Sequence, residues 1–121
     1  MNKEHSAQFA ADVRKAITDT INSEAVFWRV APESYPYPYI IFNVRGYADG
    51  KSIELDLWDL RDNELRISDT ADTIEAELDG LVIANDYHSS ILMTDSNKQW
   101  IWDEDENILH INMSFTSTYQ A

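Results

Sequence analysis

The chain has 121 residues, no cysteine, and 22 acidic against nine basic residues, which gives a net charge of −13. The length fits a single domain over residues 1–121, and the lack of cysteine excludes disulfides, thiolate metal sites and thiol nucleophiles. The negative charge disfavours direct nucleic-acid binding, because affinity for phosphates depends on cationic side chains, and no apolar run or signal sequence predicts a membrane or secreted location.

The first predicted element is an amphipathic helix over residues 6–21. Phe9, Val13, Ile17 and Ile21 recur at intervals of three and four, as one face of a helix requires. Ser6 is the predicted N-cap, because its hydroxyl can accept a hydrogen bond from a free backbone N–H of the first turn. A β-branched and aromatic segment, 25–30, then predicts a short strand.

Two prolines lie in the tyrosine-rich segment 35–39 and remove two backbone donors. We expect this segment to be extended or polyproline-like and to lead into a second strand over 40–45. In the third predicted strand, 53–58, apolar and polar residues alternate strictly, which indicates one buried and one polar face.

A helical period returns at 67–78, and Gly80 lies where a C′ glycine would end that helix. The remainder predicts strands over 90–94, 99–102 and 108–119, with turns at 46–50, 95–98 and 103–107 between consecutive strands. The predicted fold class is therefore α+β, in the order αβββαβββ, with a mainly antiparallel β-sheet and two helices packed on one face. The other face would be polar or available for assembly.

No motif in the sequence predicts a catalytic, cofactor or metal site. Asp103, Asp105 and Asn107 occupy the first positions of an EF-hand-type loop, but Ile108 stands where glycine is needed, and a strand follows. A solvated hairpin turn is the better interpretation of 103–107. We expect no enzyme and no cofactor, and a small enzyme using a carboxylate pair stays a distant alternative.

Aromatic side chains are the more informative feature. Several are concentrated in the proline segment, on the polar face of the third strand and near the predicted turn at 103–107. Aromatic residues are enriched in protein interfaces, where they bury a large area at low entropic cost. The candidate interface residues are Tyr35, Tyr37, Tyr39, Trp58, Trp100 and Trp102.

The succession of the proline–tyrosine segment with its strand (35–44), the alternating strand 53–58, the helix 67–80 and the closing strand 110–119 resembles the tail terminator, or tail completion, proteins of long-tailed phages and prophages. The resemblance implies a virion protein that forms a hexameric ring on the last ring of tail-tube protein. Such a ring stops polymerisation of the tube and presents the surface for a head-completion or neck protein. It implies assembly in the host cytoplasm, no membrane and no direct binding of nucleic acid.

The acidic residues are unevenly distributed, and they support a second hypothesis. Residues 67–121 contain eleven acidic side chains and one base, Lys98, which accounts for −10 of the −13. Asp72, Glu75 and Asp79 share one side of the second helix, so they could repel DNA in the bore of a ring. They could equally belong to an acidic DNA mimic that inhibits a DNA-binding protein. We expect reversal of all three to lysine to leave the fold intact.

Overall fold

The computed structural model of the protein describes residues 3–46 and 50–120. The first helix, α1, runs over Lys3–Ile21, and Phe9, Val13 and Ile17 are fully buried, as their spacing predicts. The prediction of Ser6 as N-cap is wrong, because the helix begins three residues earlier and Ser6 lies within it. Lys3 and Glu4 are good helix formers, so the helical backbone extends past the predicted cap.

The second helix, α2, covers Glu64–Leu78 and follows a short 3-10 turn, Arg61–Asn63. Its buried residues are those of the predicted stripe: Ile67, Ala71, Ile74 and Leu78. Gly80 adopts a φ of 84°, the left-handed conformation of a C′ glycine, which confirms the predicted end of the helix.

A buried carboxylate fixes the start of α2. The side chain of Asp59 is fully buried at the end of the third strand, and Arg66 binds both of its oxygens, with Nε 2.8 Å from Oδ2 and Nη2 2.7 Å from Oδ1. The backbone N–H of Leu60 donates a third hydrogen bond, 2.8 Å long, to Oδ1. The hydrogen bond to Asp59 raises the pKa of the Arg66 guanidinium. These contacts hold the first turns of α2 against the sheet.

Six strands form one sheet in the order β1-β2-β3-β6-β5-β4. Their bounds are Val26–Trp28 for β1, Tyr39–Gly46 for β2, Gly50–Leu60 for β3, Val82–Ala84 for β4, Ser89–Ile101 for β5 and Ile108–Thr118 for β6. The α+β class is confirmed, but the sheet is mixed, because β1 pairs with β2 in parallel. The chain between these two strands returns to the end of the sheet where β1 starts, and β2 then runs in the same direction.

The second half of the sheet corrects the predicted strand pattern. The short strand β4 was not predicted, and the two strands predicted at 90–94 and 99–102 are one continuous strand, β5. The predicted turn at 95–98 is a β-bulge in the pairing of β5 with β6, and Ser96 has a φ of 63° there. The turn-forming residues of this segment are extra, unpaired residues within β5. They do not end the strand, because β6 is long enough to pair with β5 on both sides of the bulge.

Both helices contribute to one hydrophobic cluster on the same face of the sheet. From the sheet, this cluster takes alternate residues of β2, β3 and β6, among them Phe42, Leu55 and Met113. Gly50 is required at the start of β3, since a Cβ atom there would lie 2.2 Å from the carbonyl oxygen of Ser117. The turn predicted at 46–50 has residues 47–49 outside the described ranges, and the strands on either side of it pair as a hairpin.

Candidate assembly surface

The sheet face opposite the helices carries the candidate aromatic residues of the first half of the chain. Tyr39 of β2 pairs with Trp58 of β3, and Trp58 pairs with His110 of β6, so these three side chains are direct cross-strand neighbours. Side chains that share one register line on one face of a sheet are in contact. All three are partly buried, although both described helices pack on the other face of the sheet.

The rings form a continuous stack, called here the aromatic row: Tyr37, Tyr39, Trp58 and His110. Neighbouring ring centroids are 5.4 Å, 5.4 Å and 4.4 Å apart, with interplanar angles of 27°, 28° and 19°. Tyr35 contacts Tyr39 edge-on at 6.2 Å. Stacked and edge-on pairs of this kind each stabilise a structure beyond their burial. The row is therefore a rigid ridge that crosses three strands.

The proline segment differs from its predicted extended form. The backbone bends at Tyr37 and Pro38. Just before the segment, a turn is formed in which the N–H of Tyr35 donates to the carbonyl oxygen of Pro32 at 3.1 Å and Ser34 has a φ of 59°. The Tyr37–Pro38 peptide bond is cis. Instead of a straight lead into β2, the segment folds over the start of the strand and places Tyr35 and Tyr37 beside Tyr39.

A carboxylate lies next to the aromatic row. Asp56 Oδ1 is 2.7 Å from His110 Nε2 and accepts a 2.9 Å hydrogen bond from the Asn112 side chain. Burial alone would raise the pKa of Asp56, but the hydrogen bonds from His110 and Asn112 and the charge of His110 outweigh it and lower that pKa. Burial is the main cause of a raised pKa of Tyr39, and the neighbouring Tyr37 and the charge of Asp103 raise this pKa further. The contact with Asp56 thus fixes the orientation of the His110 ring at the end of the row.

Trp100 and Trp102 are not part of the aromatic row. Trp100 pairs with Ile111, so it lies on the helix side of the sheet, where it lines a cleft with Ser68 and Ala71 of α2. It is 51% exposed, and Trp102, just beyond β5, is 85% exposed. The sequence grouped six aromatic residues as one class, and the structure separates them into a stacked set and an exposed pair.

The three candidate acids, Asp72 and Glu75 of α2 and Asp79 just after its last residue, face β5. Lys98 Nζ lies 2.5 Å from Asp72 Oδ1 and 3.2 Å from Glu75 Oε1. Asp79 Oδ1 accepts a 3.0 Å hydrogen bond from the backbone N–H of Thr94. The hydrogen bond to Asp72, reinforced by Glu75, raises the pKa of Lys98. These acids fasten the helix to the strand, and each of them has a partner within the chain.

Sequence reasoning missed His110 and Phe27 as members of this surface. The ring of Phe27 contacts Tyr35 at 4.7 Å, and His110 closes the row. The stacking partner of His110 depends on the β3–β6 register, which no local pattern reveals. His88 is buried beside Asp12, with Nε2 2.9 Å from Oδ2. His5 lies among the residues whose side chains are not described.

Among the residues of the two described ranges, no group of three or more His, Asp or Glu side chains is arranged to hold a metal ion. Over the same ranges, no helix has the length and apolarity needed to cross a membrane.

The predicted turn at 103–107 is stabilised by side-chain hydrogen bonds to the backbone. Asp103 Oδ1 accepts from the N–H of Asp105, and Asp105 Oδ1 accepts from the N–H of Asn107, both at 2.9 Å.

The fold is similar to that of a chain in the solved structure of the virion of a native gene transfer agent particle. The TM-score is 0.70 at 12% identity, over 90% of this chain and 95% of that one. A second solved structure, of a protein with no functional description, gives a TM-score of 0.68 at 11% identity, over 100% of this chain and 97% of the other. No family model and no curated protein matches the sequence. At these identities the likeness establishes a shared fold.

Proposed function

We propose that this chain is a structural protein of a phage or phage-like particle, and that within the particle it is the tail terminator. The observation that carries the proposal is the fold shared, over nearly the full length of both chains, with a chain of a gene transfer agent virion. The sequence resemblance to tail terminator proteins points in the same direction. In this role the subunits form a hexameric ring that caps the tail tube and offers its other surface to a head-completion or neck protein.

The open sheet face supports a role in assembly. The aromatic row is a preorganised, partly apolar ridge, because its rings are fixed by one another and by the strands beneath them. A partner that covers such a ridge does not have to immobilise flexible side chains, which lowers the entropic cost of binding. Tyrosine and tryptophan also provide the anchors on which protein interfaces most often depend. This work needs no turnover, and we propose that the protein is not an enzyme.

The DNA-mimic alternative needs carboxylates that are free to bind a partner's cations. Two of the three candidate acids of α2 bind Lys98, and Asp79 binds the backbone of β5. This arrangement counts against α2 as a mimic of the DNA phosphates. The proposed location is the host cytoplasm during assembly and the head-proximal end of the tail in the finished virion.

Disruption of the gene in its phage tests the proposed function. We expect particles with over-long or unjoined tails by electron microscopy, because nothing would stop polymerisation of the tube. Complementation with the wild-type gene should restore tail length and joining. Normal infectious particles from the disrupted phage would contradict the terminator role, and shortened or absent tails would indicate another structural role in the particle.

A further inference from the structure

The end of β5 is a sheet edge without a neighbour. From 98 to 101, β5 pairs with β6 on one side, while β4 pairs only with the first residues of β5 and no other described strand lies on the free side. An unpaired edge presents alternate backbone N–H and C=O groups that can bind an additional strand. Natural sheets usually cover or charge such an edge, and in this segment Gln99, Trp100 and Ile101 are all exposed.

A groove with apolar and acidic walls adjoins this edge. Its walls include Trp100, Ile101, Trp102, Asp103, Asp105 and Glu106. An indole that is 85% exposed, as in Trp102, next to other exposed apolar side chains marks a surface that binds another protein. The edge and the groove together, residues 98–106, are called here the hairpin end.

The charge of the hairpin end defines its partner. Four consecutive carboxylates, 103–106, follow Trp102, and none of the ion pairs among the described residues includes them. Arg61 also lines the groove, and its Nε donates to the backbone oxygen of Glu106. Lys98, at the start of the hairpin end, is already paired with Asp72 and Glu75. Arg61 then faces four carboxylates, which leaves the surface strongly negative. Two copies of the chain meeting symmetrically through this end would bring eight carboxylates together, which like-charge repulsion opposes.

We propose that the hairpin end docks an extended, lysine- or arginine-bearing segment of a different protein. The segment would add as a strand to the free edge of β5, with its backbone bonded to 98–101. A cationic side chain of the segment would lie over the indole of Trp102 and between the carboxylates of the turn. The inference does not depend on the terminator role, because the edge, the groove and the charge carry it by themselves.

Binding of defined peptides to the purified full chain tests this docking site. The probe is a peptide of alternating lysine and valine, and the control peptide has glutamate in place of lysine. We expect saturable binding of the lysine peptide by calorimetry, weakened by added salt, with amide chemical-shift changes concentrated at 98–106. The glutamate peptide should bind at least about tenfold more weakly.

Matched variants locate the site. Trp102→Ala should weaken binding of the lysine peptide about tenfold or more, because truncation of an interface anchor typically does so. Trp28→Ala is the control, since Trp28 is an exposed tryptophan on the opposite edge strand and should leave the affinity unchanged. The double variant Glu104→Lys and Glu106→Lys should abolish the salt dependence of lysine-peptide binding. The control double variant on α2, Glu64→Lys and Glu77→Lys, should not.

Three results would overturn the proposal. They are absence of binding by the lysine peptide, equal losses in the two tryptophan variants, and shift changes that lie outside 98–106. Sedimentation of the chain alone provides a further test. Association of the wild-type chain that Trp102→Ala removes would show that a second copy of the chain occupies this end instead. Failure of the lysine peptide to bind would not change what the gene disruption says about the terminator role. The two proposals can therefore fail independently.

Discussion

Aromatic side chains of the same types are used differently in two regions of the sheet. On β2, β3 and β6, Tyr39, Trp58 and His110 lie in one register line and stack against each other. At the end of β5, Trp100 and Trp102 make no stacked or edge-on ring contact among the described residues. Both are at least half exposed. A ring that other rings support contributes to the stability of the subunit, whereas an unsupported exposed ring contributes little until a partner covers it.

Removal of the central ring of the row should have the largest effect on stability. We expect Trp58→Ala to lower the free energy of unfolding by about 2–3 kcal/mol, since it removes a partly buried indole and two stacking contacts. Chemical denaturation of the purified protein measures the change. Trp58→Phe keeps a stacked ring and should lose about half as much. A loss below about 0.5 kcal/mol for the alanine variant would show that the row is not a structural element.

The carboxylate beside the row should make the next largest contribution. We expect Asp56→Asn to lower the free energy of unfolding by about 1–2 kcal/mol at neutral pH, because it weakens charged hydrogen bonds with His110 and Asn112. The control is Glu54→Gln, an exposed carboxyl on the same face of β3, which should have little effect.

The same contact gives a pH dependence with a defined sign. The pKa of Asp56 is lowered in the folded protein from its usual 3.8. Its stabilisation is therefore complete above the unfolded pKa, near 3.8, and is lost as the pH falls through the lower folded value. Below pH 3.8 the wild type should lose stability more steeply than Asp56→Asn. Parallel acid unfolding curves would contradict this account of Asp56.

The helices and the central strands could be predicted from sequence because their signals are local and periodic. The stripe Ile67, Ala71, Ile74 and Leu78 and the cap at Gly80 were predicted correctly. Prediction from the sequence failed where pairing between strands outweighed the local conformational preference of the residues. The segment 95–98 has turn-forming residues, yet β6 continues opposite it and converts the predicted turn into a bulge. The parallel pairing of β1 and the stacking of His110 depend on contacts between distant residues, which no local period encodes.

The acids that face β5 should contribute less to the stability of the subunit than the aromatic row or Asp56. Reversal of Asp72, Glu75 and Asp79 to lysine should cost about 1 kcal/mol, because Lys98 would lose both partners and face like charges. The fold is still expected to stay intact, and the contacts with β5 add the expectation that the reversal lowers its stability. Reversal of Asp69 and Glu77, exposed on the same helix, is the matched control and should change the free energy of unfolding by less than about 0.5 kcal/mol. Equal effects would show that the bonds to Lys98 contribute nothing.

The smallest effect on the isolated subunit should come from the most exposed ring. We expect Trp102→Ala to change the free energy of unfolding by no more than about 0.5 kcal/mol, because 85% of the residue is already in contact with water. In the assembled particle the same variant should reduce tail completion strongly, since an interface anchor is removed where a partner covers it. Trp58→Ala should behave in the opposite way. It should lower the free energy of unfolding strongly, and tail completion should fall because the subunit is unstable. Denaturation of the purified variants, compared with electron microscopy of tails from phage carrying each substitution, distinguishes the two profiles. A Trp102→Ala subunit as unstable as Trp58→Ala would show that both rings stabilise the subunit, and it would remove the contrast between the regions.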